Sequence, residues 1–188
     1  MRRTGLTPVT QDTVRTFVER FKDQKGEVLF TWSWRETLDA IVTELRRRGV
    51  KGVAVASSGD GRSDELVREL SDEFRVVPPG ASAVEIESCD AGITFPVAAV
   101  AETGIIVEIS YTESDRLVSA LPPVHMAHLK ADVVLRDLLQ VAGLIRSAAR
   151  SRAFAVTLIS GPSRTGDIEL RLTLGVHGPH STVLFLEV

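Results

Sequence analysis

Three short polar clusters carry the side chains of this sequence best equipped for chemistry: Ala101-Glu102-Thr103-Gly104, Gly161-Pro162-Ser163-Arg164-Thr165-Gly166-Asp167-Ile168-Glu169, and Gly175-Val176-His177-Gly178-Pro179. Apolar, strand-like stretches flank all three, so charged and hydrogen-bonding groups are expected at strand ends, where α/β folds commonly build sites on rigidly held loops. Glu102 is expected at the end of a short apolar helical segment, just before a buried strand. Poor solvation there would raise its pKa and make it a usable general acid or base, or a nucleophile. Equally open is a structural role in which Glu102 accepts backbone N–H bonds from the next turn, supplied by Thr103 and Gly104. In the second cluster, backbone N–H groups from Gly161 onward can surround an anion, while Arg164 offers a two-pronged donor and Ser163 and Thr165 offer hydroxyls. The competing reading pairs Arg164 with Asp167 or Glu169 in an internal network. His177, between small turn residues, is placed to move a proton or bind an anion near neutral pH, or else to bond to backbone. The expected site therefore has Glu102 and His177 as proton-handling groups, with Thr103, Gly104, Gly161, Ser163, Arg164, Thr165 and Asp167 binding the ligand.

Several sharper readings fail on their own requirements. The second cluster has no Gly-Lys-Ser/Thr and no G-x-G-x-x-G turn, so it matches neither nucleotide motif. Ser163 lacks a G-x-S-x-G elbow and an assignable third triad member. His125 and His128 fall on one expected strand at a spacing of three, hence on opposite faces, which argues against a joint metal site, and no metal is expected. Cys89 reads as inert packing, and Trp32 and Trp34 as core or edge packing.

Positioning these loops requires an alternation of strands and helices. Val14, Phe17, Val18 and Phe21 outline one face of an opening helix capped by Thr10. After a strand at 27–31, Ser33 and Glu36 match the reciprocal capping box, and Leu38, Ile41, Val42 and Leu45 line a second helix up to Gly49. Residues 52–56 read as a fully buried strand, 58–62 as a loop, Ser63 as the cap of a helix burying Leu66, Val67 and Leu70, and 74–77 as the next strand. Further on come an Ile93-centred strand, a helical segment over 96–102 ended by Gly104, and a central strand over 105–109. One helical turn over 115–119, a strand over 124–129 and a helix carrying Leu135, Leu138, Leu139, Ala142 and Ile145 follow. Strands over 153–159, 170–176 and 182–188 close the chain. This rhythm predicts an α/β fold, a single Rossmann-like domain over residues 1–188 with a mostly parallel central sheet. An antiparallel pair is expected at its end, turned by Gly178-Pro179.

Composition narrows the partners. The 188 residues are 44% hydrophobic and 25% charged, an ordinary globular balance. A net charge of −3 gives no broad cationic surface for nucleic acid, and Arg46-Arg47-Arg48 reads as the cationic end of an amphipathic helix. No apolar run is long enough to span a bilayer and Met1-Arg2-Arg3 opens no secretory signal, so a cytoplasmic location is expected. Cys89 is the single cysteine, which excludes an internal disulfide or a cysteine-ligated iron–sulfur cluster within the chain.

The clusters resemble, in order, the motifs of the LUD-domain family. Those motifs are Ala101-Glu102-Thr103-Gly104, Leu121-Pro122 with His125 shortly after, the run from Gly161 to Glu169, and Gly175-Val176-His177-Gly178-Pro179. The resemblance is specific over residues 88–188 and departs from the usual AETGT at Ile105 and from SRTADIE at Gly166. It implies a fold similar to the ribose-5-phosphate isomerase and CoA-transferase superfamily. It also implies work with two iron–sulfur companion proteins in oxidising L-lactate to pyruvate. With a single cysteine the chain looks like the cofactor-free component, its electrons carried by iron–sulfur clusters on partner subunits, and its pocket taking a small anionic metabolite such as lactate or pyruvate. Two other functions remain open at this level: a noncatalytic assembly subunit, and an independent isomerase or acyl-transfer enzyme acting on a phosphorylated or CoA-linked substrate.

Overall fold

The computed structural model describes residues 11–162 and 178–188, together with the backbone of the short strands Arg164–Gly166 and Leu172–Leu174. Thr10, expected as a cap, lies outside the described residues, as do Ser163, Asp167 and His177.

Helix α1 (Gln11–Asp23) buries Phe17, Val18 and Phe21, and edge strand β1 (Glu27–Thr31) follows. In α2 (Trp34–Arg47), the Ser33 hydroxyl accepts the Glu36 N–H at 3.2 Å, as the capping pattern requires. The return bond shifts by one residue, because the Glu36 carboxylate accepts from the Trp32 N–H at 3.0 Å. The arginine run at the end of α2 is absorbed locally: Arg46 pairs with Glu73, and Arg47 and Arg48 clasp the buried Glu44. Next come β2 (Gly52–Val55), α3 (Arg62–Leu70), β3 (Arg75–Val77), α4 (Ala83–Glu87) and β4 (Ala91–Thr94). Ser63 does not cap α3. The cap position is Gly61 at φ +88°, and the loop hydroxyl of Ser58 accepts the Ser63 N–H at 3.0 Å instead.

The six-stranded sheet runs β1-β12-β7-β4-β2-β3 and is parallel throughout, with β7 spanning Val124–Lys130 and β12 spanning Ser181–Glu187. Strands buried on both faces explain the near-continuous apolar runs of β2 and β12. On one face, Leu38, Ile41 and Leu45 of α2 and Leu66 and Leu70 of α3 pack on Val53, Met126 and Phe185; on the other, Phe17 and Phe21 of α1 meet Ala127, Leu129, Leu184 and Leu186.

That second face also carries a separate four-stranded sheet, and here the sequence reading needs correction. Residues 96–102 form no helix: β5 (Ala98–Val100) and β6 (Ile105–Ser110) make an antiparallel hairpin, with Ala101-Glu102-Thr103-Gly104 as its turn. The short apolar stretch serves two cores. Ala99 and Ile106 face the central sheet, while Ala98, Val100 and Val107 face away, toward Leu135 and Val141. Strand β6 is accordingly interior to this mixed sheet, in which β5 and β6 lie between β8 (Val134–Leu135) and β9 (Ala155–Ile159), rather than central in the parallel one. Leu135 belongs to β8 (Val134–Leu135), followed by a 3₁₀ turn at Leu138–Gln140 and only then α6 (Val141–Arg150). A reciprocal capping box between Asp137 and Gln140 breaks the apparent long helix. Between the sheets, α5 (Glu113–Val118) sits against β4. A Cβ on Gly92 would lie 1.9 Å from the Val118 carbonyl oxygen, so only glycine admits α5 at this distance. The antiparallel pair expected around Gly178-Pro179 does not form: β12 joins the parallel sheet, and β11 (Leu172–Leu174) pairs antiparallel with β10 (Arg164–Gly166) instead.

Candidate functional site

Strand β9 (Ala155–Ile159) pairs antiparallel with β6, with Ile159 opposite Ile106, so the Gly104 turn and Gly161 emerge at the same end of one ladder. Both glycines press on the end of α1. Gly104 has φ +68°, and a Cβ there would come within 2.6 Å of the Arg20 backbone; Gly161 has φ +89°, and a Cβ would meet the Gln24 carbonyl oxygen at 2.7 Å. The Gln24 amide donates to the Thr103 carbonyl, completing a junction of Thr103, Gly104 and Gly161 at the end of α1. A cleft of about 460 Å³ opens beside it, lined by Gln24, Arg116, Ser119, Ser160, Gly161 and Pro179, among others. Its rim is built from the residues that lead into β1, β7 and β12, so it lies at the amino ends of these parallel strands.

The expected ligand residues divide around this cleft. Thr103, Gly104 and Gly161 are brought together. Arg164 and Thr165 lie on β10, of which only the backbone is described, and Ser163, Asp167 and His177 lie outside the described residues. Glu102 is exposed rather than shielded, and its carboxylate accepts the Leu138 N–H at 3.1 Å. It therefore holds backbone, as one of the two sequence readings had it, but at the start of the 3₁₀ turn.

Behind the cleft lies a buried polar core that sequence reasoning did not assemble. Glu108 of β6 and His125 of β7 face each other across the two sheets, 4% and 0% exposed, with His125 Nε2 3.2 Å from the Glu108 carboxylate. The Thr94 hydroxyl donates to Glu108 and lies 2.7 Å from the same His125 nitrogen. Burial pushes the Glu108 carboxyl up, but His125, Thr94 and Ser119 outweigh it and hold it below its ordinary value. His125 Nδ1 is buried without a partner among the described residues. Ser119 connects this core to the cleft that it lines.

A second cluster occupies the carboxyl ends of the parallel strands. There the loop after β2 leads to α3 on one face, while the chain after β4 leads to β5 on the other, the kind of divergence that opens a crevice in α/β sheets. Arg62 fills it. Its guanidinium lies 5.8 Å from the Trp34 ring and 5.6 Å from that of Phe95, bonds Asp60 at 2.7 Å, and lies 2.7 Å from His128 Nδ1. His128 Nε2 is 3.0 Å from Glu187. Burial, reinforced by the Arg62 charge, lowers the His128 pKa from 6.5 to about 4. The neutral ring thus accepts from Arg62 at Nδ1 and donates to Glu187 from Nε2–H. Trp34 packs here, whereas Trp32 is 69% exposed. His125 and His128 point to opposite faces, and among the described residues no three His, Cys, Asp or Glu side chains converge as metal ligands. The Ser58–Gly61 loop between a strand and a helix was the one sequence signal for this crevice; nothing comparable marked Gln24, Arg116 or Ser119.

The LUD domain family matches residues 14–186. Among curated relatives, lactate utilization protein C 1 of Bacillus mycoides is 34% identical over 175 residues, 92% of this chain and 71% of that protein. Lactate utilization protein C of an Exiguobacterium species is 36% identical over 104 residues, 54% of this chain but only 45% of the relative. A solved structure of a DUF162 family protein from Deinococcus radiodurans superposes with a TM-score of 0.68 over 94% of this chain and 97% of that one, at 20% identity, and so shares the fold. With nearly its whole length matched and the same α/β architecture recurring in that structure, the chain belongs to the LUD-domain family.

Proposed function

We propose that this chain serves lactate utilization as the cofactor-free component of a complex oxidising L-lactate to pyruvate, with iron–sulfur companion subunits carrying the electrons. The names of the relatives support the pathway. The observation that carries the site is the fastening of the Gly104 turn and Gly161 to the same helix end, beside a cleft of about 460 Å³. The reaction takes two electrons and two protons from the substrate, so the chain's part is to hold the carboxylate and guide a proton. Arg164 is assigned to ligand binding from its loop and Glu102 or His177 to the proton, with Ser163, Thr165 and Asp167 lining the loop. Among the described residues no helix is long and apolar enough to cross a membrane, and we place the complex in the cytoplasm.

One observation favours the assembly reading for Glu102: the side chain is exposed and already engaged with the Leu138 N–H. The test is lactate-dependent reduction of an artificial acceptor by the reconstituted complex, comparing wild type, a folded Glu102→Gln variant, and the complex without this chain. Loss in both altered samples supports proton handling or ligand recognition at Glu102. Activity kept by the variant but lost on omission makes Glu102 structural and the chain an assembly subunit. Activity that survives omission rejects the proposed role.

A further inference from the structure

We propose that Arg116 is the carboxylate-binding residue of the cleft, and that the cleft takes a metabolite bearing a single carboxylate next to a neutral, hydrogen-bonding remainder. The proposal rests on reading the cleft as the metabolite site. Arg116 is partly buried and is the one charged side chain among the described residues lining the cleft. Its side chain has no acid partner among the described residues. Neither Glu113 nor Asp115, its neighbours on α5, forms an ion pair with it, and the Asp115 carboxylate already takes the Ser57 N–H at 2.9 Å and the Thr112 hydroxyl at 2.7 Å. The buried acid beyond Ser119 is compensated by His125 and Thr94, not by Arg116.

The other partly buried arginines among the described residues behave differently: Arg48 and Arg62 each bond a carboxylate within 3 Å. A place in the last turn of α5 suits a cation. It does not account for a partly buried guanidinium facing a cavity with no counter-ion among the described residues. Buried and half-buried charges are ordinarily paired, so the missing anion is expected to be the ligand. One guanidinium neutralises one carboxylate through two parallel N–H···O bonds, whereas a phosphate dianion would keep a net charge here. The amide of Gln24 and the hydroxyl of Ser160 are placed to recognise hydroxyl or carbonyl oxygens on the remainder of the molecule.

The experiment is an NMR titration of the full isotope-labelled chain, following backbone amides of Gln24, Ser119, Gly161 and Gly178. The probes are L-lactate, pyruvate, the neutral isostere pyruvamide, and inorganic phosphate, added to wild type, Arg116→Gln and Arg116→Lys. We expect L-lactate or pyruvate to shift these amides, with pyruvamide at least about tenfold weaker. In Arg116→Gln the acid should weaken about tenfold or more and lose its advantage over the amide, and Arg116→Lys should retain part of both. Equal acid affinity in Arg116→Gln, an undiminished acid preference there, a preference for phosphate, or no shift with either carboxylate would each overturn the inference. The acid–amide comparison uses the unaltered chain and so stands even if a variant fails to fold. The outcome separates cleanly from the lactate role. A chain dispensable for the reconstituted activity but selective for carboxylates through Arg116 removes the role and keeps the site. A chain that is required, yet indifferent to Arg116→Gln, does the reverse.

Discussion

Arg62 and Arg116 stand at opposite ends of the parallel strands, and they differ in how fully their charge is answered. Arg62 is enclosed by two aromatic rings, bonded to Asp60 and to the neutral His128, and linked through that ring to Glu187. Arg116 faces a cleft of about 460 Å³ with no carboxylate in reach among the described residues. The general preference of α/β sheets for sites at carboxyl ends would have drawn attention to Arg62. Yet a cation already bonded to an acid and an imidazole inside the protein has less left for a ligand. The crevice at the carboxyl ends works as a clasp that ties α3 to β7 and β12, and the partly buried arginine without a carboxylate partner among the described residues lies at the amino ends.

The buried pair behind the cleft tests this division most severely, because it has to be self-sufficient if Arg116 is to remain free. Replacing His125 with Leu strips Glu108, 4% exposed, of the partner that helps hold its proton off, so the carboxyl must stay charged without it or take up a proton. A loss of about 3–5 kcal/mol in urea denaturation at pH 7 is expected, and the double replacement Glu108→Leu with His125→Leu should recover much of it. A loss below about 1 kcal/mol would show that Glu108 does not depend on His125, and would reopen Arg116 as its counter-ion.

The clasp around Arg62 should declare itself in the pH dependence of stability. The His128 pKa falls from 6.5 to about 4 on folding, so between these values the unfolded chain binds a proton that the folded chain refuses. Stability should therefore be unaffected by this group above pH 6.5 and decline as pH falls toward 4, by at most about 1.4 kcal/mol per pH unit. The carboxylates held low by their partners, such as Glu44, Glu73 and Asp90, lose their contributions only below their ordinary values, so the interval from 6.5 to 5 isolates His128. Denaturation midpoints over this interval should slope in wild type and flatten in His128→Gln. Arg62→Gln should also flatten them, by removing a charge that holds the ring neutral. An unchanged slope in both variants would disconnect Arg62 from His128.

Local patterns made part of this molecule legible in advance. The Ser33 cap and the spacing of Leu38, Ile41 and Leu45 located α2, and the apolar runs of β2, β7 and β12 located the parallel strands, since both signals depend on neighbours in sequence. The second sheet was misread because its strands are short and serve cores on both faces. In β5, alternation of alanines between two cores leaves no polar face to reveal a strand, and Pro96 with Gly104 imitated helix punctuation. The run from Leu135 to Ile145 has helical spacing, but the Asp137–Gln140 capping box was the better guide to where the helix begins. Gly104 and Gly161, both marked by their polar clusters, do converge, for the concrete reason that α1 lies too close for a side chain. Arg116 was invisible, because a missing counter-ion is a property of tertiary neighbours and leaves no mark in the residues on either side.

The smallest expected change is also the sharpest contrast. Arg62→Gln deletes charge-assisted bonds to Asp60 and His128 together with stacking on two rings, and should cost about 2 kcal/mol in thermal or urea unfolding. Arg116→Gln removes a partly buried cation with no bonded partner among the described residues, so its stability should stay within about 0.5 kcal/mol of wild type. A small gain would fit best, since relieving an unanswered charge costs the native state nothing and a free binding group is maintained at the expense of stability. If the two substitutions cost the same, Arg116 is a structural residue with a counter-ion of its own. If Arg116→Gln is neutral to folding while the acid–amide preference disappears, the charge has no role in the fold, and the ligand is what it answers.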